Sequence, residues 1–358
     1  MGILSRIIDH LPASKRAIRD LRSDVYELYE LNRSINARIE QADNGINDNL
    51  NFRAEWLKSD NDGVSMRIET MLWQLYRNDN EDLQDTKKRF FASLPKANGG
   101  LRAMQLGCAK LLGEFDSLCK DNGLQYWIAF GTLLGAIRHQ GFIPWDDDSD
   151  LGMMRSEIDR LIDIVSDDER YRISIVYDVW NFCKQVRFMY ADINNPCFLD
   201  LFIFEEIGNA DKKVFETQLE VRMQMIAEMK AAPYFREWKR KEFIPASDPL
   251  SNQIEETFAK FRSIEIEWGI IESQPADGML WGIENMYVLH DYQWVCRKQD
   301  VFPTQTVTFE QIHCQAPNNL RKFTEDVYGD IYRVPKDIST HCEHVSKEQL
   351  RSLEDQKS

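Results

Sequence analysis

The chain has 358 residues, of which 43% are hydrophobic, so it is long enough to bury a large core in one domain with an appended element or in two domains. Its formal net charge of −15 argues against a nucleic-acid-binding protein, because such proteins need a basic face to neutralise phosphates. The seven cysteines form no Cys-x-x-Cys pair, which indicates reduced thiols in a cytoplasmic protein. No apolar run approaches the ~20 residues of a membrane-spanning helix.

Residues 1–95 are predicted to form a helical, coiled-coil segment. Apolar residues from Ile18 to Ile46 step by alternating threes and fours, the spacing of a coiled-coil seam, and Asn32 would be a buried polar residue in that seam. The segment would join copies of the chain into a homo-oligomer; the alternative is a helical hairpin folded back on the rest of the chain. An earlier apolar stripe, from Ile3 to Leu11, fits either peripheral contact with the inner face of a membrane or packing against another helix.

Strands and helices alternate from Pro95 onwards, which predicts a mixed α/β domain over residues 96–345 and a polar tail over 346–358. A helix over 101–123 is followed by a strand, a tight turn at Gly131-Thr132 and a short helix. Further along the chain, the pattern predicts strands near 144–154, 186–193, 195–207 and 286–292, and helices near 156–166, 212–232 and 256–272.

Four aspartates fall within five positions in the run WDDDSD. Side chains alternate along a strand, so Asp146, Asp148 and Asp150 would share one face. Three like charges on one face are unfavourable unless a cation lies among them. A calcium loop of the EF-hand type is excluded, because Leu151 stands where that loop needs glycine. The run therefore predicts a metal site.

Asp200 provides a second acidic signal, because it interrupts the apolar strand FLDLFIF. An unpaired buried carboxylate is costly, so Asp200 should be neutralised or bound to a partner. Beside Asp148 and Asp150 it would complete a three-carboxylate site, with Asp146 as a further ligand. Carboxylate oxygens of this kind suit Mg²⁺ or Mn²⁺.

Groups that could bind a phosphorylated substrate lie close to the acidic run. A backbone at Gly131-Thr132 can approach a phosphate closely. Arg138 and His139 offer positive or polar groups for a diphosphate, or are surface groups on a short helix. Trp145 could stack on a cytosine, or belong to the core.

Three stretches of the chain resemble the LicD/fukutin-related family over roughly residues 101–345. They are FGTLLGAIRHQGFIPWDDDSDLGM (130–153), FLDLFIF (198–204) and VFPTQTVTFEQIHCQAPNNLRKFTEDVYGDIYRVP (301–335). The resemblance implies a nucleotidyltransferase-like mixed sheet flanked by helices, in which Asp148 and Asp150 are the catalytic carboxylate pair and Asp200 is the third carboxylate. Asn318, in the last stretch, either contacts substrate or fixes a loop.

The same resemblance implies a metal-dependent phosphotransferase. Such an enzyme would move phosphocholine, ribitol phosphate or glycerol phosphate from a CDP-linked donor to a hydroxyl of a cell-surface glycan or polysaccharide, and release CMP. Asp200 would complete the metal shell or accept the proton of the acceptor hydroxyl. The alternatives are a nucleotidyltransferase that releases pyrophosphate and a non-enzymatic coiled-coil scaffold.

A run of positive charge lies further along this acidic chain. It consists of Arg236, Lys239, Arg240 and Lys241. The run fits an anionic acceptor polymer or membrane headgroups, and it also fits the solvated face of a helix.

Overall fold

The computed structural model describes residue 53 and residues 59–273, 275–286, 295–334 and 346–355. The predicted coiled-coil seam at 18–46 lies outside the described residues, and so does the strand predicted at 286–292 apart from its first residue. The chain divides into two compact units, Met1–Leu75 and Tyr76–Ser358. In the first unit, residues 59–75 are helical. None of the described helices is long and apolar enough to cross a membrane.

The second unit contains, among its described residues, the helices and strands on which the rest of the fold depends. Its helices are α1 Leu83–Ala92, α2 Gly99–Asn122, α3 Phe130–His139, α4 Arg155–Ser166, α5 Lys212–Ala231, α6 Phe235–Lys241, α7 Leu250–Glu267, α8 Lys298–Val301, α9 Leu320–Tyr328 and α10 Lys347–Asp355. Its strands are β1 Trp127–Ile128, β2 Asp150–Met154, β3 Tyr171–Asp178, β4 Cys183–Tyr190, β5 Phe198–Ile207, β6 Phe243–Pro245, β7 Gly278–Trp281, β8 Val295–Arg297, β9 Gln305–Phe309 and β10 Ile312–Ala316.

Eight of the described strands form one mixed sheet. Its main order is β1-β2-β5-β4-β3-β6, and β7 pairs with β5 and β8. Strands β2 and β5 run parallel, whereas the other described pairs of this sheet run antiparallel. Strands β9 and β10 form a separate hairpin. The predicted mixed α/β fold, with a mixed sheet flanked by helices, is confirmed.

The core lies between this sheet and helix α2. Apolar residues of α2 recur at helical spacing and are buried, among them Met104, Cys108, Leu111 and Phe115. Gly123 ends the helix in the left-handed conformation (φ +62°), which glycine adopts readily at a helix C-terminus. Strand β5 is apolar on both faces, as expected for a strand that lies inside a sheet covered on both sides.

The described boundary of the second unit differs from the prediction near Pro95. Helix α1 lies on the other side of Pro95 yet belongs to the second unit, because Phe91 is buried beneath the guanidinium of Arg138, whose central carbon is 4.2 Å from the ring centroid. An ion pair of 2.7 Å between Lys87 and Asp330 also fixes α1. Helix α1 therefore packs against the rest of the second unit.

Residues 347–355, within the predicted polar tail, form helix α10, whose Leu350 and Leu353 pack against the core. The helix predicted over 256–272 begins earlier, at Leu250, and ends at Glu267, where Gly269 adopts a left-handed conformation (φ +66°).

Candidate active site

Three carboxylates from two separate stretches converge at the start of β2 and β5. Asp148, Asp150 and Asp200 each offer an oxygen, and these oxygens lie within 4.8 Å of one another. The parallel pairing of β2 with β5 places Asp150 directly opposite Asp200. Asp148 precedes Asp150 by two residues and so shares its face.

The backbone holds this convergence in place. The Asp150 N–H donates to the Thr132 hydroxyl at 2.8 Å, and the Asp200 N–H donates to the Ser149 carbonyl at 2.8 Å. Asp147 and Ser149 are buried, whereas Asp148 and Asp150 are partly accessible. The predicted alternation of side chains is therefore present, although the strand itself begins only at Asp150.

The turn before helix α3 brings the backbone close to the acids. Phe130 adopts a left-handed conformation (φ +42°), which is uncommon for a bulky residue, and its ring packs edge-on against Phe202 and Trp281. At the next position, a Cβ on Gly131 would lie 3.0 Å from a carboxylate oxygen of Asp146. A side chain at this position would therefore press on the Asp146 carboxylate, which would have to shift by a few tenths of an ångström.

The three carboxylates repel one another. Burial raises the pKa of Asp150 well above its ordinary value, and the charges of Asp148, Asp200 and Asp146 raise it further, while a hydrogen bond from the Gly131 backbone opposes the shift. The Arg187 side chain donates from Nε to Oδ1 of Asp200 at 2.7 Å. Three oxygen ligands in one negatively charged cluster suit a hard divalent cation, so the residues present fit a metal ion.

A cavity of about 400 Å³ opens on one side of these carboxylates. Its wall includes Asp148, Asp150 and the predicted residues Gly131, Arg138, Trp145 and Asp146, together with Tyr328, Asp330 and Arg333. Burial lowers the pKa of Arg138 to about 10, while the charge of Asp146 raises it, so the guanidinium stays charged at neutral pH. The larger cavity thus combines two guanidinium groups with an acidic floor.

A smaller cavity of about 110 Å³ opens beside Asp200. It shares Asp148 and Asp150 with the larger cavity, and Lys184 and Arg187 of β4 line it. Sequence reasoning missed Arg187, which alternates with apolar neighbours as in any half-buried strand. The signal that identifies it is its register, because Arg187 lies opposite Asp200 when β4 pairs with β5.

Four of the predicted site residues differ from their predicted roles in the structure or lie outside the described cavity walls. Thr132 is buried and positions the backbone of Asp150. Asp146 lines the larger cavity but is not one of the three converging carboxylates. The described walls of the two cavities include neither His139 nor Asn318.

His139 and Asn318 have other surroundings. Burial lowers the pKa of His139 to about 3, so the ring is neutral at pH 7, and it packs edge-on against Phe91 at 5.9 Å. The Asn318 amide donates to the Gln299 carbonyl at 3.1 Å, which fixes a loop. The Asn318 contact agrees with the loop-fixing alternative, whereas His139 is packed against Phe91 and so is not the surface group of its own alternative.

Comparison with known proteins points to one family. Residues 123–238 match the family described as LicD/FKTN/FKRP, nucleotidyltransferase domain. The chain is 35% identical over 127 residues to the lipopolysaccharide cholinephosphotransferase LicD of Haemophilus influenzae, covering 32% of this chain and 48% of that protein. It therefore spans about half the length of that relative.

Two further relatives match shorter stretches. An uncharacterised protein of Rickettsia prowazekii is 39% identical over 87 residues, which is 24% of this chain and 32% of that protein. The human ribitol 5-phosphate transferase FKRP is 38% identical over 58 residues, or 16% of this chain and 11% of that protein. The matches thus include two transferases of phosphorylated alcohols.

Proposed function

We propose that this chain, whose residues 123–238 match the LicD/FKTN/FKRP nucleotidyltransferase-domain family, is a phosphotransferase that moves a phospho-alcohol from a CDP-linked donor to a glycan hydroxyl and releases CMP. The observation that carries the proposal is the convergence of Asp148, Asp150 and Asp200 beside a cavity that also holds Arg138 and Arg333. The named relatives support a phospho-alcohol as the group transferred, since one is a cholinephosphotransferase and another a ribitol 5-phosphate transferase.

The larger cavity suits the donor. Its volume of about 400 Å³ lies within the usual range for a small-molecule site. Arg138 and Arg333 supply charge-assisted hydrogen-bond donors for a diphosphate, and Trp145 supplies an aromatic surface for a base. These residues would hold the phosphates against the carboxylates.

Asp148, Asp150 and Asp200 would hold Mg²⁺ or Mn²⁺. When bound, the ion would neutralise the phosphate oxygens of the donor and stabilise the CMP leaving group. Asp200 acts here as a ligand, because Arg187 holds one of its two oxygens and leaves the other for the ion. The Thr132 hydroxyl accepts a hydrogen bond from the Asp150 N–H, and the Gly131 backbone donates one to the Asp150 carboxylate, so both keep Asp150 in position.

The acceptor would enter through the smaller cavity. Asp148 and Asp150 line both cavities, so a hydroxyl that enters beside Lys184 and Arg187 would meet the carboxylates from a different cavity than the donor. Separate entry of donor and acceptor is compatible with the in-line geometry of phosphoryl transfer.

The test follows CMP release from CDP-choline, CDP-ribitol and CDP-glycerol with Mg²⁺ and a glycan acceptor. We expect one donor to release CMP in step with labelling of the acceptor, and Asp148→Asn to abolish both. Asp159→Asn, on the exposed face of α4, is the matched control and should be fully active.

Two outcomes would overturn the proposal. Release of pyrophosphate from CTP and a phospho-alcohol, without labelling of a glycan, would assign the site to a nucleotidyltransferase. Unchanged CMP release by Asp148→Asn would show that the converging carboxylates are not the reaction centre.

A further inference from the structure

The turn between β3 and β4, residues 179–182, holds a large aromatic ring in water. Trp180 is 59% exposed at this turn. Asp178 accepts hydrogen bonds from the Trp180 N–H and from the Asn181 amide, both at 2.7 Å. The buried guanidinium of Arg222 donates to the carbonyls of Asn181 and Phe182 at 3.1 and 3.2 Å. The turn is therefore well fixed, and the exposure of Trp180 is a property of a rigid element.

A second aromatic ring is exposed on the same edge of the sheet. Phe243, 51% exposed, lies in strand β6 opposite Asp178 of β3. The Val179 N–H donates to the Glu242 carbonyl at 3.1 Å, which continues this pairing up to the residue before Trp180. The backbone therefore places Trp180 and Phe243, each with an exposed ring, at one corner of the sheet.

Positive charge lies on the helix that packs against this turn. Helix α6 exposes Arg236, Lys239 and Arg240, and Phe235 of the same helix stacks on Phe182 of the turn at 6.0 Å. The ammonium of Lys230 lies 5.2 Å from the centroid of the Phe182 ring.

Acids only partly balance these cations. From 236 to 242 the chain carries four cations and two acids, Glu237 and Glu242. Lys241 is paired with Glu237 and Asp248, and Glu237 also lies 3.8 Å from Arg240. An excess of positive charge at this corner contrasts with the net charge of −15 of the whole chain.

We propose that this corner is a docking surface for an anionic lipid bilayer. We define the Trp180 patch as Trp180, Phe243, Lys230, Lys239 and Arg240. Tryptophan and phenylalanine rings partition into the headgroup region, and clustered lysine and arginine residues bind anionic headgroups. A soluble anionic polymer would satisfy the cations alone, whereas a bilayer surface satisfies both the cations and the two apolar rings.

The chain offers an internal comparison for this assignment. Trp268, at the end of α7, is 53% exposed, similar to Trp180, but residues 263–272 around it carry three glutamates and no lysine or arginine. An anionic bilayer would repel a surface of that charge. Exposure of an aromatic ring alone therefore does not define the proposed site; the surrounding charge does.

The experiment measures co-sedimentation of the full chain with vesicles. One set contains equal parts phosphatidylglycerol and phosphatidylcholine, and the other contains phosphatidylcholine alone. We expect binding to the first set, weakened by high salt, and little binding to the second. Two variants, Trp180→Ser with Phe243→Ser and Lys239→Glu with Arg240→Glu, should each weaken binding at least about tenfold. Trp268→Ser and Lys110→Glu are matched exposed controls and should bind as wild type.

Since the substituted side chains are exposed, the variants should keep the wild-type unfolding temperature, which checks that they are folded. Unchanged vesicle binding in both patch variants would overturn the proposal, and it would do so even if another part of the full chain binds lipid. Equal loss in the Trp268→Ser control would also overturn it. Binding to a soluble anionic polysaccharide, with no binding to vesicles, would assign the patch to a polymer instead.

Discussion

Strand β5 carries carboxylates of two buried charge clusters that differ in their balance. At Asp200, three carboxylates converge and the guanidinium of Arg187 pairs with one of them. Five residues further on, Glu205 pairs with both Arg155 and Arg262, and Arg155 also binds Glu284 at 2.8 Å. The second cluster therefore sets the buried acids Glu205 and Glu284 against two guanidinium groups, and Arg262 also pairs with exposed Glu272 at 2.5 Å.

The pKa values of the two clusters shift in opposite directions. Burial raises the pKa of Asp150, and its acidic neighbours raise it further. Burial also acts to raise the pKa of Glu284, yet Arg155 holds that pKa below its ordinary value. Burial acts in the same direction on both carboxyls, so the neighbouring charges decide the direction of the pKa shift. The Glu205 cluster is completed by the protein's own guanidinium groups, whereas the Asp200 cluster is suited to a cation from outside.

The largest expected effect comes from Asp150→Asn, which removes one acid from the unbalanced cluster. We expect the proposed phospho-alcohol transfer to fall by about 10³-fold, because one of the proposed ligands of the metal ion is lost. In metal-free protein the same variant should unfold at a temperature roughly 2–4 °C higher, since the loss of one like charge is worth about 1 kcal/mol. Calorimetry in a chelator measures this shift, and a lower unfolding temperature would contradict the comparison.

Glu205→Gln should have the opposite effect on stability. It leaves Arg155 and Arg262 without one of their partners in a buried cluster, so we expect the free energy of unfolding to fall by about 3–5 kcal/mol. Glu206→Gln is the matched control, because its partner Lys298 lies at the surface and such pairs contribute less than about 1 kcal/mol. Urea unfolding of both variants decides between a completed cluster and an incidental one; equal losses would remove the distinction.

The convergence of the three carboxylates could be predicted from sequence because two local patterns point to it. The alternation of residues 146–150 separates buried Asp147 from Asp148 and Asp150, and a lone acid in an apolar strand marks Asp200. Strand and helix periodicity likewise predicted the mixed fold. Both kinds of signal come from neighbours within one element, where side-chain direction follows from the backbone period.

Features that depend on pairing between elements could not be predicted. Arg187 meets Asp200 only through the register of β4 with β5. His139 is neutral because it is buried, with Phe91 of α1 packed against it. The sequence pattern places that helix in the N-terminal segment, so it gives no sign of this contact. A long-range contact leaves no periodicity in the sequence, so these residues needed the three-dimensional structure. The coiled-coil seam at 18–46 stays a prediction.

The buried carboxyl of Glu265 lies near the Glu205 cluster and makes the stability of the protein depend on pH. Burial, together with the charges of Glu284 and Glu205, raises the pKa of this carboxyl to about 8. Between pH 4.5 and 8 the unfolded chain releases this proton and the folded chain keeps it, so stability falls as pH rises, by about 1.4 kcal/mol per pH unit.

Glu265→Gln should abolish that slope. The variant should match the wild type near pH 4.5 and exceed it at pH 8, as thermal unfolding across this range would show. Glu267→Gln, exposed on the same helix, should leave the slope unchanged. If Glu265→Gln kept the wild-type slope, Glu265 would not be the group that holds the extra proton. Its carboxylate would then be charged in the folded chain and belong to the cluster.

The smallest expected effect sharpens the unbalanced cluster. Arg187 holds one oxygen of Asp200 and lies over the ring of Phe198, with its guanidinium carbon 4.1 Å from the centroid. Arg187→Met should free the Asp200 carboxylate to rotate, and we expect Mn²⁺ affinity to fall by about tenfold, as is common when a residue that orients a metal ligand is removed. Lys184→Met is the control, because Lys184 lines the same cavity but pairs with Glu255. Titration of Mn²⁺ by calorimetry separates the alternatives. Tighter binding in Arg187→Met would show that the guanidinium competes with the ion for Asp200 rather than orienting it.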